Sequence, residues 1–338
     1  MKVKKLMAGV LAGSMALTLA ACGGGDAQQG AQGTDNGGST AEGEGNYKIS
    51  VILKTTASEY WGYVKAGAEA YSKDNPNVKV EVKGASSETA YDEQLSMIET
   101  DMNASYDGYV IAPLQADMVK TMIAGKTKPI VAVDTDIDAP EVLSFVGTGN
   151  EAAGKLGGAA AVEAAKAAGW TEIKAIEICG VQGDSTNESR KAGYAAGINE
   201  AGGTFLMDET QYADATADKA VAAMEAIMQN HPEGIAIICA NNDDMAMAAA
   251  RTAKSNPNYA KTVFLGFDGI QSACTAILND ELTMSVAQEG YNMGYKSIEA
   301  VVKSLQGETV EEFIDSGASV VDKSNAQERL DTLKGYLA

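Results

Sequence analysis

Short β-rich runs alternate with helix-length amphipathic stretches from residue 47 to the end of the chain, and the series occurs twice. The first set of runs is Ile49–Leu53, Val78–Val82, Tyr109–Ala112, Ile130–Val133 and Val142–Val146. An Ala-rich stretch over about 150–168 follows, and then Ala175–Ile178, Thr204–Met207, Ile235–Cys239, Val263–Phe267 and Thr283–Ala287. Between the first two runs, Trp61, Val64, Ala68 and Tyr71 recur at helical spacing. Strands separated by helices are joined by crossovers and so build parallel sheets. The pattern therefore predicts an α/β chain of two doubly wound lobes with five strands each.

The two halves also echo each other in sequence. Lys128–Asp134 reads KPIVAVD and Lys261–Asp268 reads KTVFLGFD, and IAPLQADM at 111–118 parallels ICANNDDM at 238–245. Each half thus carries an Asp just past the carboxyl end of a strand, which is the edge where open α/β sheets bind ligands. Two facing lobes that both present such an edge form a cleft.

The chain begins with a segment that is a processing signal rather than structure. Lys2, Lys4 and Lys5 precede an apolar stretch from Leu6 to Ala20, which is short for a membrane span and is interrupted by Gly9 and Gly13. It ends in Leu-Ala-Ala-Cys22, which resembles a bacterial lipobox and predicts cleavage before Cys22 and a lipid on that cysteine. Residues 23–46 hold Gly, Gln, Ser, Thr and acids with no bulky apolar side chain, the composition of a flexible tether. The expectation is an extracytoplasmic protein held at the membrane by Cys22.

Charge narrows the partners. The formal net charge is −20, which repels nucleic-acid backbones and anionic lipid headgroups, so no nucleic-acid partner is expected. The single histidine, His231, rules out multi-histidine metal sites and sits in what reads as a surface connection. Beyond Cys22 the three cysteines, Cys179, Cys239 and Cys274, read as buried small hydrophobes, with one bridge between two of them as the alternative.

Several short motifs fall in order at the strand-to-helix turns: Tyr60-Trp61 after the first strand, Asp134 closing VAVD, and Arg190 in SRKAGY. They continue with Asn242-Asp243-Asp244-Met245-Ala246, Gly266-Phe267-Asp268-Gly269, and Ala287-Gln288 after the last strand. In this the sequence resembles the type I periplasmic binding proteins, specifically the ribose- and galactose-binding branch that feeds ABC importers, over residues 47–338. The resemblance implies a two-lobed fold hinged by three strands, with 47–148 plus 289–316 in one lobe and 149–288 plus 317–338 in the other. It also implies a monomer that closes on a neutral monosaccharide or polyol and is recognised by an ABC permease, with no cofactor and no catalysis.

The residue types suit that ligand on chemical grounds. Asp134 and Asp268 can each accept two hydroxyl hydrogens as charge-assisted bonds. Arg190 offers a planar fork of donors, while Asn242 and Gln288 match hydroxyls that both give and take. Tyr60, Trp61 and Phe267 can lie against the C–H faces of a sugar. Each also has a plainer reading: Asp268 before Gly269 or Asn242 before the next helix as N-caps, Arg190 as a solvated helix residue, Tyr60-Trp61 as partly core. Ala215, where several members of the family place an aromatic ring, and Thr135, where ribose-specific members carry an arginine, point away from ribose toward a hexose, an inositol or another polyol.

Two motifs mimic other sites. Gly149–Leu156 approaches a phosphate-binding loop but puts Leu156 where Ser or Thr would hold Mg²⁺, and a hinge crossing fits it better. Asp134–Asp138 starts like a calcium loop, but Ala139 replaces the glycine of its tight turn, so no metal is expected. Two other functions fit the same pattern. One is a receptor-type protein presenting its ligand to a chemoreceptor or sensor kinase. The other is a sugar hydrolase using Asp134 and Asp268, which Arg190 would oppose by keeping both carboxylates ionised.

Overall fold

The computed structural model describes residues 45–337, so the leader, Cys22 and nearly all of the tether lie outside the described residues. The described residues form one compact unit. The alternation of the sequence is realised as two sheets, each flanked by helices.

The first sheet is built from β1 (Tyr47–Thr55), β2 (Val78–Ala85), β3 (Gly108–Ile111), β4 (Ile130–Val133), β5 (Val142–Gly147) and β12 (Phe313–Asp315), in the order β12-β5-β4-β3-β1-β2. All its pairings are parallel. Central strands β3 and β4 are buried along their whole length, as strands covered by helices on both faces must be. Edge strand β2, VKVEVKGA, keeps charged residues toward solvent. The covering helices are α1 (Glu59–Asp74), α2 (Tyr91–Met102), α3 (Ala116–Ile123) and α9 (Gly290–Leu305).

The second sheet contains β6 (Lys174–Cys179), β7 (Thr204–Phe205), β8 (Gln211–Tyr212), β9 (Ile237–Ala240), β10 (Val263–Asp268), β11 (Met284–Gln288) and β13 (Ala318–Val321). Its order is β13-β11-β10-β9-β6-β7, with β8 also on β6, and β13 alone runs antiparallel. Around it lie α4 (Asn150–Ala167), α5 (Ser185–Glu200), α6 (Ala217–Asn230), α7 (Asp243–Ala253), α8 (Gln271–Leu278) and α10 (Ala326–Tyr336).

Five strands per sheet is therefore an undercount, the sheets having six and seven. The extra members are two to four residues long and lie at sheet edges, too short to leave a periodic signal. The run Thr204–Met207 also shortens: only Thr204–Phe205 pairs, and a 3₁₀ turn at Met207–Glu209 leads into β8.

The chain passes between the sheets three times: from β5 into α4, from β11 into α9, and from β12 into β13. Gly149, at the start of the phosphate-loop look-alike, N-caps α4 in the first of these passages. The α4–α5 contact is close enough to require glycine. A Cβ on Gly154 would stand 2.6 Å from the carbonyl oxygen of Arg190, and one on Gly193 2.2 Å from that of Glu151. This approach brings the Arg190 side chain beside Asn150 at the head of α4.

Candidate functional site

The carboxyl ends of β1, β4, β6, β9, β10 and β11 open onto one cleft between the two sheets. Tyr60 and Trp61 enter it from the first turn of α1, Asp134 from the end of β4, Arg190 from α5, Asn242 from the turn after β9, and Asp268 and Gln288 from the last residues of β10 and β11. These seven residues line a shared cavity of about 40 Å³, room for a few water-sized molecules and less than a sugar ring occupies. In this arrangement the lobes are drawn together, and a ring-sized ligand needs side-chain or lobe movement to enter.

The two aspartates occupy equivalent and strained positions. Asp134 has φ 64° and Asp268 φ 113°, positive values that residues with a Cβ rarely adopt. Strain of this kind persists only where the surroundings enforce it, and it clusters at functional sites. At Asp134 the turn is closed by the Thr135 N–H donating to the Val133 carbonyl at 2.7 Å. The Asp134 carboxylate accepts from the Tyr60 hydroxyl at 2.8 Å and from the Thr135 hydroxyl at 3.1 Å. Burial and that carboxylate hold the Tyr60 phenol well above its ordinary range, so it stays a donor.

The Asp268 turn is tied from behind. Gly269 at φ +64° donates its N–H to Ser285 Oγ at 3.0 Å, and a Cβ there would stand 2.4 Å from that of Ala287. Asp243, buried at the head of α7, accepts from the Ile270 N–H at 3.0 Å. Asp268 is thus not an N-cap: its Oδ1 accepts from Gln288 Nε2 at 2.7 Å and faces Arg190 Nη1 at 3.8 Å. Burial pushes its carboxyl well above the ordinary range, with Arg190 pulling the other way and Asp243 adding to the rise. Arg190 thus acts on Asp268 in the expected direction, but desolvation is the larger influence and the net shift is upward.

Arg190 is 5% exposed and fixed on three sides, so it is no solvated helix residue. Its Nε donates to Asn150 Oδ1 at 2.8 Å and its Nη1 to the Asn241 carbonyl at 2.9 Å. The guanidinium carbon lies 3.8 Å from the centre of the Phe267 ring. Phe267 itself is fully buried and does not line the cavity: β10 turns alternate side chains to opposite faces, so Asp268 reaches the cleft and Phe267 lies beneath Arg190. Asn242 is at the cavity and also N-caps α7, its Oδ1 accepting from the Met245 N–H at 2.9 Å while its Nδ2 donates to the Ala215 carbonyl at 3.2 Å. Trp61 donates from Nε1 to Glu88 at 3.0 Å and meets Tyr60 edge-on.

Several cleft residues escaped the sequence reading. Lys54, 3% exposed at the end of β1, forms an ion pair with Asp184 ahead of α5 at 2.6 Å, joining the two lobes. Burial alone would lower the Lys54 ammonium, but Asp184, with Glu88 and Asp134, holds it above its ordinary value, and Asp184 in turn is held below its own. Thr135 and Thr186 share a hydroxyl contact of 2.8 Å across the cleft. A lysine inside the apolar run ISVILKTT was the available signal, because a charge in a central strand needs a reason to be there. Glu88, half-buried beside Trp61, is raised by desolvation and lay in a stretch with no motif.

Among the described residues Cys179, Cys239 and Cys274 are buried and free. Gln288 links the cleft to the passages between the sheets. Its Oε1 accepts from the Thr148 hydroxyl at 2.9 Å, and Thr148 also meets the Ser316 hydroxyl at 3.2 Å. Residues 148, 288 and 316 belong to the three separate passages.

A cleft between two similar α/β lobes, with matched aspartates at the strand ends and three chain passages beside it, has a counterpart among known families. Residues 49–309 match the family model described as a periplasmic binding protein domain. The chain belongs to the periplasmic binding proteins. Relatives within this family include the D-allose-binding periplasmic protein of Escherichia coli, 29% identical over 265 residues that cover 75% of this chain and 83% of the relative. The ribose import binding protein RbsB of Bacillus subtilis is 26% identical over 273 residues, 80% of this chain and 85% of the relative. Among solved structures, a carbohydrate transporter solute binding protein from Agrobacterium radiobacter in complex with D-arabinose superposes with a TM-score of 0.77 at 26% identity, covering 87% of this chain and 99% of the other. An ABC transporter solute binding protein from Agrobacterium vitis with bound D-fucose gives 0.75 at 27%, covering 85% and 98%. Like these periplasmic binding proteins, the chain is of the type I, two-lobed α/β class.

Proposed function

We propose that the protein is the extracytoplasmic binding component of an ABC sugar importer and closes its two lobes around one neutral monosaccharide or polyol. The observation that carries this reading is the pair of strained, buried aspartates, Asp134 and Asp268, one from each sheet and each already accepting a hydrogen bond from a neighbouring side chain. Carboxylates held this way have acceptor capacity left for hydroxyl groups, and Arg190, Asn242 and Gln288 add donors beside them. Tyr60 and Trp61 supply aromatic area for the C–H face of a ring, while Phe267 acts from beneath by supporting Arg190. The names of the relatives, which bind allose, ribose, arabinose and fucose, support the ligand class.

In this reading residues 47–148 plus 289–316 form one lobe and 149–288 plus 317–338 the other, and ligand contacts from both favour the closed state. The closed monomer is what an ABC permease recognises, no cofactor or metal takes part, and no reaction is catalysed. Cys22 carries the lipid that holds the protein at the cell membrane, with residues 23–46 as the tether.

A thermal-shift screen against pentoses, hexoses, polyols and nucleosides tests the ligand class. A ligand at a thousand times its Kd stabilises the folded state by about 4 kcal/mol. One sugar class giving a shift of several degrees supports the proposal. Flat curves for every sugar and polyol, with a shift from a nucleoside, would overturn the ligand and leave the fold.

A further inference from the structure

Behind Arg190, out of reach of any ligand, lies a carboxyl group that the binding site does not use. Glu177 is in the middle of β6 and fully buried. Strand alternation turns Ile176 and Ile178 to one face and Glu177 to the other, under α4 and α5, and register sets it opposite Cys239 of β9. The titratable groups around it are Cys179 on its own strand, Cys239 on β9, and Glu188, Arg190, Lys191 and Tyr194 on α5. Helix α4 presents no buried charge to it.

Its one hydrogen bond comes from Asn241, whose Nδ2 donates to Glu177 Oε1 at 2.7 Å. The second oxygen of the same carboxyl, Oε2, and the amide oxygen of the same asparagine, Oδ1, are both buried without a partner. Two acceptors orphaned on the two members of one bonded pair are what a carboxylic acid facing an amide leaves when its hydrogen is not drawn. A proton on Oε2 directed at Asn241 Oδ1 would give both atoms a partner, whereas a carboxylate leaves both without one.

We propose that Glu177 is carried as the neutral acid, doubly hydrogen-bonded to Asn241, and that this pair is the positioning device for Arg190. Asn241 transmits the effect through its backbone: its N–H donates to the Ile178 carbonyl at 3.1 Å and its own carbonyl accepts Arg190 Nη1 at 2.9 Å. Burial supports the assignment by pushing Glu177 up to about 8. Ionising Glu177 sets a charge against the Asn241 oxygen and loosens the carbonyl that anchors the guanidinium. The functional weight rests on the reading of Arg190 as a ligand contact, but the test does not need a ligand.

The test is a pH titration of the ligand-free full chain, following the infrared carbonyl stretch of a protonated carboxyl and the NMR signal of the Arg190 Nε–H, assigned with Arg190→Lys. The expected result is a component of the acid band at pH 6 that vanishes with a midpoint near 8 and an Arg190 signal with a step at the same midpoint. Glu177→Gln, which keeps both hydrogen bonds without a charge, should lose that component and the matching step in the Arg190 signal, while any acid band from the buried Asp243 and Asp268 remains. If that variant does not fold, a ¹³C-carboxyl glutamate signal of the wild type titrating near 8 and moving together with Arg190 gives the same answer. Absence of any glutamic acid signal at neutral pH, or an Arg190 signal that stays still while it disappears, overturns the proposal.

Discussion

The Lys54 ammonium and the Asp184 carboxylate lie 2.6 Å apart in the closed cleft, one on β1 of the first sheet and the other capping α5 beside the second. Both are almost fully buried. The pair therefore contributes only while the lobes are together. Removing one partner leaves an unpaired buried charge, so Lys54→Met should cost about 3–5 kcal/mol in denaturant unfolding at pH 7. Replacing both, with Asp184→Leu added, should recover most of that loss. The pH window follows from the directions of the two shifts. Asp184 is lowered, so its share is present above the ordinary aspartate value and lost as pH falls through the lowered one. Lys54 is raised, so its share is present below the ordinary lysine value and lost as pH rises through the raised one. A double variant as unstable as Lys54→Met alone would contradict this.

Asp268→Ala should reduce affinity for the ligand found in the screen by roughly fivefold to 150-fold, because leaving a buried ligand hydroxyl and the Gln288 amide without their acceptor costs about 1–3 kcal/mol. Calorimetric titration, with circular dichroism to verify folding, measures it. Wild-type affinity would remove Asp268 from the binding site.

Phe267→Leu tests whether an aromatic ring outside the cavity matters through Arg190. The ring–guanidinium contact is worth about 0.5–2 kcal/mol, so affinity should fall by roughly threefold to thirtyfold while sugars of different ring substitution keep their rank order. A reshuffled order would instead indicate direct contact between Phe267 and the ligand.

Glu59 completes a helix end across the cleft. Helix α8 has no cap of its own, yet the Glu59 carboxylate on α1 accepts from the Gln271 N–H at 2.7 Å and the Ser272 hydroxyl at 2.6 Å. Loss of a cap costs about 0.5–2 kcal/mol. Glu59→Ala should therefore weaken ligand binding by up to about thirtyfold although Glu59 is not at the cavity, seen as faster release in stopped-flow fluorescence of Trp61. Unchanged release would mean the contact contributes nothing to closure.

Stability should carry the signature of Glu177. Its folded value near 8 lies above the ordinary glutamate value, so its contribution is full at acid pH and declines as pH rises from about 4.3 toward 8, where the unfolded chain sheds a proton that the native state retains. Glu177→Gln escapes that loss. Its Tm should exceed that of the wild type by a margin that widens up to pH 8 and then stays constant. A margin independent of pH would argue for an ionised Glu177.

Much of the architecture was legible because it depends on pattern. The repeated strand–helix alternation pointed to two largely parallel sheets, and the echo of KPIVAVD in KTVFLGFD pointed to Asp134 and Asp268, which the structure sets at equivalent strand ends, both with positive φ. What stayed hidden depends on partners distant in the chain. Lys54 has no meaning without Asp184, 130 residues away, nor Glu59 without Ser272, 213 away. Phe267 was misplaced for a different reason: neighbours on a strand face opposite ways, so the residue beside a site residue is turned from the site.

One amide ties the passages to the cleft. Gln288 accepts from Thr148 on one side and donates to Asp268 on the other, while Thr148 also holds Ser316. If the ligand biases the angle at these passages, linkage requires that anything biasing the angle biases the ligand by the same factor. A membrane partner that grips only the closed form must then tighten the protein's hold on its cargo at the moment of docking. Delivery needs that partner to favour the open form in a later step, so a substitution at Thr148 should alter how tightly the ligand is held and how readily it is surrendered, in opposite senses.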